Sequence, residues 1–147
     1  MDGLSGIHKT ETVYDCLLNA FAADAFRCFA RLCEKVNCEL KEEYETLCEE
    51  LCRQTDLAFW REEAGGYASY LHEVTPTHEL TQAIMLYAEA VPTCKQEKVE
   101  QLIMGKRLLP CTLSMTIFSY EALMKVSDKN RDYVIQDIEA QWTKMLR

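Results

Sequence analysis

The sequence contains no apolar run long enough to cross a bilayer, no cluster of Lys and Arg, and no glycine-rich phosphate loop. Each absence excludes a class of function. A spanning helix needs about 20 consecutive apolar residues, and a nucleic-acid binder needs grouped cations to displace the counterions of phosphates. G-x-S-x-G, the Walker loop, the Rossmann glycines and H-E-x-x-H are all missing, so no catalytic motif is present and no cofactor is called for. The opening segment MDGLSGIHKTE has no basic patch leading into an apolar stretch, and Asp2 stands where N-myristoylation requires glycine. The expectation is a cytoplasmic protein that binds neither membrane nor nucleic acid and is not an enzyme.

Strand-like alternation bounded by turn residues is scarce as well, and helical periodicity dominates. With 147 residues, 48% of them hydrophobic and 27% charged, the chain has the make-up of a folded protein and the length to bury a core unaided. The expected fold is all-α: one helical domain over 1–147, with 1–9 flexible and about six or seven helices in a compact bundle.

From a cap at Thr10 or Thr12 the first helix runs toward Asn37. Tyr14, Leu17, Leu18, Phe21, Ala25, Cys28, Phe29, Leu32 and Val36 fall on one broad face, which is expected to be the buried one. Arg27, Arg31 and Glu34 take the other side, and Cys16 falls with the polar residues. A second helix covers about Glu39 to Arg53 on a stripe of Leu40, Tyr44, Leu47 and Leu51. Thr55-Asp56 reads as the cap of a short helix LAFWREEA ended by Gly65-Gly66, and YASYLHEV as a further helical turn.

Pro76, Pro92 and Pro110 mark boundaries, because proline is accepted in a first helical turn and not in an interior. They divide the second half into helices at about Thr77–Val91, Cys94–Leu109 and Thr112–Val126, with a last one over Asn130–Leu146. The segment at 112–126, apolar nearly all round, is expected to be the central helix on which the others pack.

Charge is distributed unevenly. Residues 1–75 hold fifteen acids against seven bases and residues 76–147 nine of each, so the whole net charge of −8 belongs to the first half. Its centre is the stretch EYETLCEELCRQ, where Glu45, Cys48, Glu49 and Cys52 form an i, i+3, i+4, i+7 patch on one helix. Two thiols and two carboxylates so placed offer Cys48 and Cys52 as ligands to a metal such as zinc. Cys28, Cys33, Cys38, His72 or His78 would complete the set.

No C-x-x-C pair is present, however, and the plainer reading makes Cys48 and Cys52 half-buried space fillers. All eight cysteines are expected to be reduced thiols. Glutamates beside a thiol raise its pKa, which argues against a reactive pair. His72 and His78 read as surface residues near a turn.

What remains is recognition. The acidic residues Glu42, Glu43, Glu45, Glu49 and Glu50 lie beside an aromatic cluster of Phe26, Phe59, Trp60 and Tyr67. Aromatic anchors next to charge suit a protein-interaction or regulatory domain whose partner has a basic surface or is another copy of the chain. Two alternatives stand beside it: an acidic inhibitor that imitates nucleic-acid charge before a nucleic-acid-processing protein, and a metal or redox thiol protein built on Cys48 and Cys52.

Overall fold

The computed structural model describes residues 14–143. It is all-α: α1 (Cys16–Lys35), α2 (Lys41–Phe59), α3 (Glu79–Tyr87), α4 (Thr93–Met104), α5 (Thr116–Val126) and α6 (Arg131–Trp142). Short 3-10 turns precede the last two, at Leu113–Met115 and Asp128–Asn130. A two-stranded antiparallel ribbon, β1 (Trp60–Arg61) with β2 (Gly66–Tyr67), joins α2 to the loop before α3. The expectations for residues 1–9, for a cap at Thr10 or Thr12 and for a last helix reaching Leu146 lie outside the described residues.

Helix α1 starts at Cys16 because the two residues before it run extended against the loop at 69–71. Asp15 pairs with Tyr70 in an isolated bridge, and the Cys16 N–H donates to the Ser69 carbonyl at 2.9 Å. The Asp15 side chain then caps the helix, accepting from the Leu18 N–H at 3.1 Å. At the far end the Cys38 N–H donates to the Cys33 carbonyl and the Asn37 N–H to the Glu34 carbonyl, with Asn37 at φ 53°. This is a Schellman closure with asparagine in the left-handed position.

Helix α2 runs farther than the sequence suggests. Thr55 and Asp56, expected to cap a new helix, lie inside it because both find other partners. The Thr55 hydroxyl donates to the Leu51 carbonyl at 2.7 Å, and Asp56 accepts from Lys95 Nζ at 2.7 Å and from the Tyr67 hydroxyl at 2.7 Å. The remainder of the expected short helix, and the turn expected at YASYLHEV, form the ribbon and a loop instead. Arg61 holds that loop by donating to the carbonyls of Ala58, Leu71 and Glu73. A Cβ on Gly66 would collide with Leu102 Cδ1 and crowd Gln82 Oε1, so the close approach of the ribbon to the core at this position requires glycine.

The innermost helix is α3, where every residue from Thr81 to Leu86 is buried. Helix α5, expected at the centre, packs along α3 but turns Ile117 out to 50% exposure. Polar residues concealed the burial of α3: Glu79, Thr81 and Gln82 are all interior and all hydrogen-bonded, to Ser119, Ser69 and Tyr67 respectively. Interior polar groups are tolerated once paired. The prolines stand outside the α-helices, as their backbone requires.

Candidate interaction surface

Helix α1 packs on α2 and α3 through small side chains. Cys16, Ala20, Ala23 and Ala30 recur at helical spacing and are at most 2% exposed. Arg27 falls in the same row and donates to the carbonyls of Ala88 and Glu89, closing the C-terminal end of α3 with a cation. The expected orientation of α1 is therefore reversed: Cys16 is interior and Cys28 is exposed.

The broad apolar face points to solvent. Tyr14 is 61% exposed, Leu18 65%, Leu32 57% and Val36 71%. Phe21 and Phe29 are exposed to 36% and 39%, while Ala25 lies open between them. At about 100° per residue the positions from Leu18 to Val36 form one stripe opposite the row of small residues, and Tyr14 is exposed in the extended segment just before the helix. Its flanks are fixed: Phe21 meets Phe118 edge-on at 5.8 Å, and Phe29 rests on Tyr44 at 4.4 Å between ring centroids. Small residues inside allow close helix approach, while of the bulky ones Phe29 meets α2 only at the edge of the stripe, through Tyr44.

The residues singled out from the sequence separate. Glu42, Glu43, Glu45, Glu49 and Glu50 are exposed on the outer side of α2. Glu50 is held by Arg53 and Gln54, whose hydrogen bonds keep its carboxyl down at about 2; Glu45 lies 3.7 Å from Lys41. Phe59 is only 3% exposed, so it belongs to the core and cannot anchor a partner. Tyr67 is fully buried, and Trp60 is half-buried, stacked edge-on against Tyr67 with Lys95 Nζ 4.5 Å from its ring. The aromatic cluster read from the sequence completes the interior of the ribbon, while Phe26, half-buried, packs on Tyr44.

Cys48 is buried and Cys52 half-buried. Together with Glu45 and Glu49 they line one wall of an open groove of about 570 Å³, across which stand Arg27 and Arg31. The Arg27 guanidinium reaches to 4.0 Å from Cys52 Sγ, so the thiol has a cationic neighbour as well as acidic ones. Burial nevertheless pushes Cys52 up to about 11, with the Cys48 thiol adding to the rise and Arg27 opposing it. At neutral pH it is a thiol, which is a poor ligand and a poor nucleophile. Among the described residues no three His, Cys, Asp or Glu side chains gather as a metal site would require. All eight cysteines are free.

His78 is not a surface residue. Half-buried at the start of α3, its Nδ1 lies 2.7 Å from the Thr77 hydroxyl and 3.0 Å from that of Ser69. Ser69 is shared with Thr81 at 2.8 Å, so the cluster pins the loop to the helix. His72 is exposed and stacks on Tyr70.

The sequence did carry the signal for the α1 surface, in the outward stripe itself. The helical period located its residues correctly but could not say which side of the helix met the core. Among the described residues no helix is long and apolar enough to cross a membrane. No family model matches the chain, and neither a curated protein nor a solved structure matches it.

Proposed function

We propose that this protein is a protein-interaction domain whose binding surface is the outward face of α1, and that it works in the reducing setting of the cytoplasm. One observation carries the reading: the five large apolar side chains of Leu18, Phe21, Phe29, Leu32 and Val36 lie open to solvent in a single uncharged stripe, with Tyr14 exposed just ahead of it. Scattered surface apolar residues need no explanation, but a contiguous patch of this kind marks a binding site. The chemistry suits the apolar face of another helix, received along α1 as side-chain ridges between side-chain ridges. The free state of all eight thiols supports the cellular setting.

The test is site-specific photo-crosslinking in expressing cells, with benzoylphenylalanine placed at Leu32 and, as a control, at exposed Glu139. Adducts to a second polypeptide are expected from the first position and not the second, and Leu18→Glu should abolish them. No adduct, or one formed only within the same chain, for instance with residues 1–13, would refute the reading.

A further inference from the structure

We propose that the partner received on this face is a second copy of the chain, with the two α1 helices packed antiparallel about a two-fold axis at Ala25; the inference rests on the reading of α1 as the binding surface. From Leu18 to Leu32 the stripe reads the same in both directions from Ala25: Leu, Phe, Ala, Phe, Leu. In an antiparallel pair centred there, Leu18 stands opposite Leu32 and Phe21 opposite Phe29. A surface that is its own complement is what a two-fold interface demands, because each contact is made twice with its members exchanged.

Alanine at the centre lets the two backbones approach closely, and the aromatic rings on either side of it are already oriented by Phe118 and Tyr44. No charged residue lies in the stripe to specify a different partner or to be buried unpaired.

The area approaches that of a stable interface. Taking at most roughly 150–250 Å² for each large side chain, the exposed fractions, wholly covered, amount to roughly 500–800 Å² per copy, against the about 800 Å² per partner of a standard interface. Other exposed apolar residues, such as Ile135, Ile138 and Trp142 on α6 and Leu40 and Leu47 at α2, make shorter rows that lack this symmetry.

The deciding experiment is sedimentation equilibrium of the full 147-residue chain under reducing conditions. The expected mass is twice 17.0 kDa. Leu18→Glu and Leu32→Glu, both at exposed positions, should each raise the dissociation constant at least about 100-fold while leaving the circular dichroism spectrum unchanged.

Ala25→Cys, in a chain whose exposed thiols are removed by Cys28→Ser and Cys94→Ser, supplies an independent reading. On the two-fold axis the two new thiols meet, and oxidised glutathione should join them. Each thiol gives up one proton and one electron, and the oxidant is reduced to two glutathione thiols. A monomer at 17.0 kDa up to about 100 μM, a dimer indifferent to Leu18→Glu, or no disulfide from Ala25→Cys would overturn the proposal. The crosslink at Leu32 separates the two failures. An adduct with a different polypeptide refutes the second copy and leaves α1 as the binding surface, whereas the absence of any adduct refutes both.

Discussion

The side chain of Gln82 takes the place of a neighbouring strand for Tyr67. Its Oε1 accepts from the Tyr67 N–H at 2.8 Å and its Nε2 donates to the Tyr67 carbonyl at 2.6 Å, both groups in the interior. One amide of α3 thus satisfies both backbone groups of the residue where β2 enters the core. Replacing it by Gln82→Met, close in volume, would leave a donor and an acceptor buried without partners, at a cost of about 2–4 kcal/mol. Urea unfolding of the two proteins measures the difference. A loss below about 0.5 kcal/mol would mean that water or a local shift repairs the pairing.

Stability should fall at alkaline pH. Burial pushes Cys52 and Cys111 from 9.0 up to about 11, opposed by Arg27 and by the Ser119 hydroxyl respectively; burial and then Asp137 lift Tyr120 from 10.0 to about 12. These groups keep their protons in the folded protein after the unfolded chain has lost them. Between those values the unfolded state therefore binds fewer protons, and stability declines as pH rises. It should be fully present below pH 9 and lost progressively toward pH 11–12, by roughly 1–2 kcal/mol per half-buried thiol. Urea midpoints at pH 8, 9, 10 and 11 would trace the decline, and Cys52→Ser with Cys111→Ser should make it shallower while the buried Cys16 and Tyr120, also pushed up by burial, sustain the remainder. An equal slope in that double variant would exclude the two thiols as its source.

Salt should strengthen the association of two copies. Each chain carries a net charge of −8 while the α1 seam carries none, so added salt screens repulsion between the bodies and removes no attraction across the contact. A dissociation constant that falls between about 50 and 500 mM NaCl is expected from sedimentation. A complex held by the glutamates of α2 against a basic partner would show the opposite slope.

The sequence conveyed the fold class because helical period and proline placement are local properties. It conveyed less of the ribbon, since Thr55 and Asp56 have cap chemistry and only their partners in space, Leu51, Lys95 and Tyr67, reveal that it is not used. The centre of the bundle was obscured for a related reason: Glu79 and Gln82 are polar, and only Ser119 and Tyr67 beside them in space reveal how they are accommodated in the interior.

The face of α1 illustrates a different limit. Helical periodicity marks out an apolar stripe but carries no information about the space available beside it. The row of Cys16, Ala20, Ala23 and Ala30 is less hydrophobic and yet is the one that fits against α2 and α3.

On the proposed reading, that division gives one length of helix two tasks. Changes at Leu18, Ala25 or Leu32 leave the row of small residues that holds the bundle untouched, so mutation there would be free to alter what the surface receives without first finding a compensating gain in folding. Leu18, Ala25 and Leu32 are the positions at which such a lineage would diverge, while Ala20, Ala23 and Arg27 would stay as they are.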